Sequence, residues 1–184
     1  MRKIIVSEMV SLDGFFEDKN KELGWHTLNE EFFEYSRELL SSVDTILFGR
    51  ITYQMMAAYW SNAVNEDAVI THKMNQLNKI VFTKTLKKVT WNNSEIAKSD
   101  LKEEILKLKK EPGKDMVILG SGSIVSELSN LGLIDEYRLA VNPLILGKGN
   151  TLFKSIHDKV SLKLVQVKTL SSGVVMLHYS PGER

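Results

Sequence analysis

The sequence predicts an α/β fold: a mostly parallel central sheet flanked by helices, with an antiparallel hairpin at its C-terminal end. Three observations predict it. Apolar runs at residues 45–48, 79–82 and 116–119 have the length of strands buried on both faces. Segments with helical spacing stand between them, so strands and helices alternate. Residues 161–170 and 173–180 then alternate apolar and polar side chains and are joined through Ser171-Ser172-Gly173, as in a hairpin.

Taken in order, residues 3–10 read as the first strand, broken by the turn chemistry of Ser11-Leu12-Asp13-Gly14. Residues 15–28 read as a long irregular loop carrying Trp25 and His26, of the kind that often serves as a lid. Asn29 is placed to cap a helix over 30–42, with Phe32, Phe33, Leu39 and Leu40 on its apolar side. The strand Thr45–Phe48 ends at Gly49-Arg50, and a helix follows from about Thr52 to Trp60. A further helix is expected over 66–77, then the strand Lys79–Phe82, and a short strand over 88–91. Residues 101–110 mix Lys and Glu with Leu and Ile at helical spacing, which describes a solvated amphipathic helix stopped by Pro112-Gly113. The strand at 116–119 leads through Gly120-Ser121-Gly122-Ser123 into a helix over 122–131, ended by Gly132. Ile134 to Val141 is a strand, and Asn142-Pro143 turns the chain into a glycine-containing loop over 144–149. All of this is expected to form one domain, residues 1–184, with no internal repeat.

Composition excludes several classes. A net charge of +1 gives no general attraction to nucleic acid or to a membrane surface. With no cysteine there is no disulfide, thiolate nucleophile or cysteine metal site, which fits a reducing cytoplasm. The four histidines, at 26, 72, 157 and 178, show no metal-ligand spacing, so no metal is expected. The apolar run at the N-terminus is too short for a signal peptide, and no run reaches membrane-spanning length.

Three of the expected parallel strands end in groups suited to phosphate. Gly49-Arg50-Ile51-Thr52 offers a guanidinium fork and a hydroxyl. Thr83-Lys84-Thr85 offers a point charge between two hydroxyls. Gly120-Ser121-Gly122-Ser123-Ile124 offers a helix start whose N–H groups and dipole favour an anion, with Ser121 and Ser123 as possible caps. Each has a plain alternative: an ordinary strand-to-helix turn, two surface charges, threonines as caps. Open α/β sheets bind ligands at the carboxyl ends of their strands. A ligand with a pyrophosphate and one further phosphate would use all three ends, and NADPH is such a ligand. The pattern is not a Rossmann fingerprint, because the Gly-x-Gly sits on a late strand.

The segments Ser11-Leu12-Asp13-Gly14-Phe15, Leu47-Phe48-Gly49-Arg50-Ile51-Thr52-Tyr53 and Leu119-Gly120-Ser121-Gly122-Ser123 occur in this order. Gly132-Leu133-Ile134-Asp135-Glu136-Tyr137-Arg138 and Pro143-Leu144-Ile145-Leu146-Gly147-Lys148-Gly149 follow them. Together they resemble the dihydrofolate reductase-like superfamily, and within it the riboflavin-biosynthesis reductase (RibD C-terminal) branch, over about residues 2–180. The resemblance implies a three-layer fold, NADPH as hydride donor and a homodimer. It implies that Gly49, Arg50 and Thr52 meet cofactor phosphate, that Thr83 and Lys84 meet the adenosine ribose phosphate, and that Gly120 to Ile124 form the pyrophosphate turn. Asp13 matches the aspartate of the reductases' Ser-Leu-Asp-Gly segment. Two features depart from the pattern. Phe15-Phe16-Glu17-Asp18 is bulkier and more acidic than the riboflavin reductases' continuation. Trp25 is followed by His26-Thr27-Leu28-Asn29-Glu30-Glu31 with no proline, leaving Glu30 or Glu31 as the counterpart of the folate enzymes' acid.

The expectation is therefore an NADPH-dependent reductase of a small heterocyclic (pterin- or pyrimidine-like) or carbonyl substrate, related to dihydrofolate reductase and 5-amino-6-(5-phosphoribosylamino)uracil reductase. The alternative is an NADPH-binding regulatory protein without turnover. Asp13, or else Glu31, would supply a proton from an apolar pocket, against the reading of Asp13 as a turn residue with Gly14. Phe15, Phe16, Trp25 and Tyr53 would line the substrate side. The apolar Leu139-Ala140-Val141 is the stretch placed nearest a dimer edge.

Overall fold

The computed structural model describes residues 1–182, so the last two residues of the expected 1–184 domain lie outside it. Its frame is an eight-stranded sheet in the order β5-β4-β3-β6-β1-β7-β10-β9. The strands are β1 (Ile4–Ser11), β3 (Val43–Gly49), β4 (Asn78–Phe82), β5 (Ser94–Ile96), β6 (Asp115–Ile118), β7 (Glu136–Asn142), β9 (Leu162–Thr169) and β10 (Val175–Pro181). From β5 to β7 every neighbouring pair is parallel, whereas β10 runs antiparallel to both β7 and β9. A small second sheet pairs β2 (Phe15–Asp18) with β8 (Gly149–Thr151), antiparallel.

The helices are α1 (Glu30–Ser42), α2 (Arg50–Trp60), α3 (Ala68–Gln76), α4 (Leu101–Leu108) and α5 (Gly122–Asn130). They cover both faces of the sheet, which is why the inner strands read as unbroken apolar runs. On one face Ile4, Val6 and Val10 of β1 and Met116 and Ile118 of β6 pack against Ile105 of α4 and Ile124, Val125 and Leu128 of α5. On the other, Ile5, Ile46, Phe48 and Val81 pack against Leu39 and Leu40 of α1 and Ile70 and Met74 of α3. Lys79 is fully buried in β4. Its ammonium donates to the carbonyls of Asn75, Leu77 and Asn92 and lies 4.5 Å from the Trp91 ring centre. No helix among the described residues is long and apolar enough to cross a membrane.

Three expectations about elements change. Residues 15–28 are not wholly irregular, because Phe15–Asp18 pairs with Gly149–Thr151. The short strand after β4 is Ser94–Ile96, in register with Lys79–Val81, and not 88–91. Trp91 is instead a core side chain, stacked among Phe48 and Tyr53. Finally, Leu139-Ala140-Val141 does not approach a sheet edge. It lies in β7, flanked by β1 and β10, and the edge is β9, whose eight residues are all exposed.

Candidate active site

The order β4-β3-β6 makes the three phosphate-suited strand ends immediate neighbours. At two of them a helix begins. The α2 N-cap is Gly49 and the α5 N-cap is Ser121, and neither provides a side-chain cap. The other three helices are capped by Asn29, Asp67 and Asp100. A helix start leaves N–H groups without intrahelical partners. The structure satisfies these with side chains wherever the helix begins elsewhere and leaves them open where α2 and α5 begin side by side. Ser121 and Ser123, expected as caps, bond to each other at 2.8 Å instead. The result is a paired set of donors with two aligned dipoles, suited to a pyrophosphate.

Each expected phosphate residue has a definite place. Gly120 adopts φ +94°, a region that favours glycine, and precedes a cis peptide to Ser121. Thr52 is 7% exposed and packs beneath Gly120, so it supports the turn in place of the open hydroxyl expected. Gly122 is buried against Phe16 and the Leu152 carbonyl, and its lack of a side chain serves that packing first. Arg50 is exposed and donates to Gln54 at 3.0 Å along α2. Lys84 and Thr85 are exposed, while the Thr83 hydroxyl accepts from the N–H groups of Thr85 and Leu86 and shapes that loop.

On the substrate side the expectations divide. Phe15 and Phe16 are half-buried on β2, with Phe16 against the start of α5. Trp25 is half-buried, its indole N–H donating to the Glu22 carbonyl and its ring meeting His26 edge-on at 4.4 Å. Burial lowers the His26 pKa to about 4, so the ring is neutral at physiological pH. The segment is tied over the ends of β1 and β7 by Thr27, which donates to Asn142 at 2.8 Å. Asn142 in turn donates to the Val10 and Ala140 carbonyls. Tyr53 is a correction. It is 4% exposed among Phe48 and Trp91, and its hydroxyl accepts from the Thr90 and Trp91 N–H groups, so it holds the core and lines no cleft.

The two expected acids are corrected as well. Asp13 accepts from the Ser11 hydroxyl at 2.7 Å and from the Leu146 and Gly147 N–H groups at 3.1 and 2.8 Å. Those bonds, the Ser11 hydroxyl foremost, hold its pKa below the ordinary carboxylate value. Glu31 accepts from the Ser171 hydroxyl at 2.5 Å, the Ser171 N–H at 2.6 Å and Asn29 at 3.1 Å, and is likewise lowered. Both are ionised staples between distant loops. Neither sits in an apolar pocket, so neither keeps a proton at neutral pH.

One carboxyl in the region does. In the sequence Glu8 is simply part of the first strand, yet in the fold its tip is enclosed. Its Oε1 is buried without a hydrogen-bond partner among the described residues. Burial pushes its pKa up to about 8, against the opposing effect of the Gly120 N–H. The signal was in the sequence: the one carboxylate in a strand rich in apolar residues has to be explained.

The model of the family described as "RibD C-terminal domain" matches residues 2–176. An uncharacterised Bacillus subtilis protein, YyaP, is 36% identical over 182 residues, which cover 97% of this chain and 94% of that one. A provisionally named riboflavin biosynthesis protein from Shewanella sp. PV-4 superposes with a TM-score of 0.78 at 20% identity, covering 98% of this chain and 99% of that one. Dihydrofolate reductase from Enterococcus faecalis, in a complex with NADP(H), superposes with a TM-score of 0.67 at 16% identity, covering 98% and 97%. The fold is therefore dihydrofolate reductase-like.

Proposed function

We propose that this chain, which belongs to the RibD C-terminal domain family, is an NADPH-dependent reductase of a small heterocyclic (pterin- or pyrimidine-like) or carbonyl substrate. The observation that carries the reading is the pair of uncapped helix starts at adjacent strand ends, beside an exposed lysine. In this reading the N–H groups of Gly122, Ser123 and Ile124, with Gly49 and Arg50 opposite, hold the pyrophosphate. Lys84 and Thr85, with the Arg50 guanidinium, meet the additional phosphate that distinguishes NADPH from NADH. The bound cofactor supplies a hydride. Phe15, Phe16 and Trp25 provide apolar walls, and the segment ending at Thr27 closes over them and excludes water. The E. faecalis neighbour's complex with NADP(H) supports this choice of cofactor.

A homodimer is part of the proposal, with a second copy on β9. That strand leaves Leu162, Leu164, Val165 and Val167 exposed along an open sheet edge, an arrangement soluble proteins usually cover. A monomeric mass by light scattering at micromolar concentration would remove it.

One observation favours the second reading, NADPH binding without turnover: both expected acids are ionised staples. Oxidation of NADPH with a panel of pterins, pyrimidines and quinones separates the two. The reductase reading expects at least one acceptor to be consumed with stoichiometric loss of NADPH. Tight NADPH binding with no oxidation by any acceptor assigns the protein to the second.

A further inference from the structure

We infer that Glu8 is a further residue of this site, and that its carboxyl faces the redox end of the bound dinucleotide and exchanges a proton as that ring changes charge. The inference rests on the dinucleotide reading above. In the sheet order β4-β3-β6-β1, the additional phosphate is assigned to the β4 end and the pyrophosphate to β6. The next strand along that line is β1, where the far end of the ligand arrives.

The structure opens at that point. Ile4, Ile5 and Val6 are buried, as are Val10 and Ser11, but Ser7, Glu8 and Met9 between them are only half-buried although β1 is an inner strand. Val6 pairs with Ile118, so Glu8 lies level with Gly120, the first residue of the turn. Alternation puts Glu8 on the same face as Val6 and Val10, which pack with Ile124 and Val125 of α5. Its carboxyl therefore sits beneath the first turn of α5, beside the Gly120 N–H, with Oε1 buried and unpartnered. Buried polar atoms are almost always paired, and an orphan at the mouth of a ligand site is one that a ligand can complete.

The chemistry follows from charge. No charged side chain of the flanking strands, of α5 or of β2 contributes to the shift at Glu8, which burial alone drives. The group is thus a neutral acid at neutral pH, compatible with the uncharged reduced ring. The oxidised ring carries one positive charge, and an opposite charge nearby favours the ionised carboxyl. During turnover, the Glu8 O–H bond breaks and its proton passes to the acceptor's nitrogen or oxygen as the cofactor's hydride forms the new C–H bond. The acceptor gains two electrons and two hydrogens, the cofactor is oxidised, and its cationic ring is left facing the Glu8 carboxylate. Water restores the proton once the oxidised cofactor leaves.

The test needs no substrate. The dissociation constants of NADPH and NADP⁺ are measured on the full chain from about pH 6 to about pH 9, in wild type and in Glu8→Gln. Titration of the phosphates, common to both forms, cancels in the ratio of the two constants. In wild type, NADP⁺ should tighten relative to NADPH by up to about tenfold for each unit that pH rises toward the Glu8 pKa, because binding the cation releases the proton. Glu8→Gln should bind both forms with a ratio that does not change with pH. A flat ratio in wild type, or the same slope in a folded Glu8→Gln, overturns the proposal. If Glu8→Gln fails to fold, the wild-type ratio still decides, and Glu8→Asp should keep the slope. If wild type binds neither form, the dinucleotide reading itself is what has failed.

Discussion

Gly49 and Ser121 meet across the gap between β3 and β6: a β-carbon at position 49 would overlap the Ser121 hydroxyl. This contact holds the starts of α2 and α5 together. Gly49 has φ −79°, so alanine is compatible with the backbone and the obstacle is only the space. Gly49→Ala should push Ser121 aside and break its bond to Ser123. Overpacking of this kind costs about 1–3 kcal/mol, read as a lower melting temperature. NADPH affinity should fall by about tenfold or more, because both sets of donors move. Unchanged affinity in calorimetric titration would place the anion elsewhere.

The exposed cations should set cofactor preference. Lys84→Ala is expected to weaken NADPH by about tenfold and NADH by far less, since a charge-assisted contact to the additional phosphate is lost. Arg50→Ala should act in the same direction. Both effects should shrink at high salt, as expected for exposed charges. An NADPH/NADH ratio unmoved by either substitution would reject these assignments.

Asp13 and Glu31 should behave as staples. Their folded pKa values lie below the ordinary 3.8 and 4.5, so their stabilisation is present above those values and is lost as pH falls through the folded ones. Asp13→Asn and Glu31→Gln should each lower the melting temperature at neutral pH and flatten its acid limb. Neither should abolish turnover with an acceptor that wild type reduces. A loss of about 100-fold in rate at unchanged stability, in either variant, would restore that residue as the acid.

Gly122 is hemmed in by Phe16 rather than kept bare for the ligand alone. A β-carbon there would stand 3.0 Å from the Phe16 ring and 3.2 Å from the Leu152 carbonyl. Gly122→Val should therefore lower stability, and Phe16→Ala should relieve part of that loss in the double variant. Additive melting-temperature losses would show that the two positions do not interact.

Much of this was legible in the chain. The buried strands around Leu47, Val81 and Val117 declared themselves as apolar runs, and Asn29 and Gly120 marked turns that the structure places where expected. The parts that were not legible depend on distant partners. The small strand at Phe15–Asp18 is half acidic and takes its partner from Gly149–Thr151. Asp13 and Glu31 look like free acids until Leu146, Gly147 and Ser171 are folded against them. Tyr53 looks like a site aromatic until Thr90 and Trp91 return to its hydroxyl. Glu8 was hidden by the opposite effect: its strand was plain, and the one charged residue within β1 was absorbed into it.

The central claim is that the open starts of α2 and α5, with Lys84 beside them, hold NADPH. Titration of the full chain with NADPH and with NADH, followed by nicotinamide fluorescence, tests it most directly. The account predicts saturable binding of one NADPH per chain and weaker binding of NADH. Absence of NADPH binding at millimolar concentration, or equal affinity for the two, would contradict it.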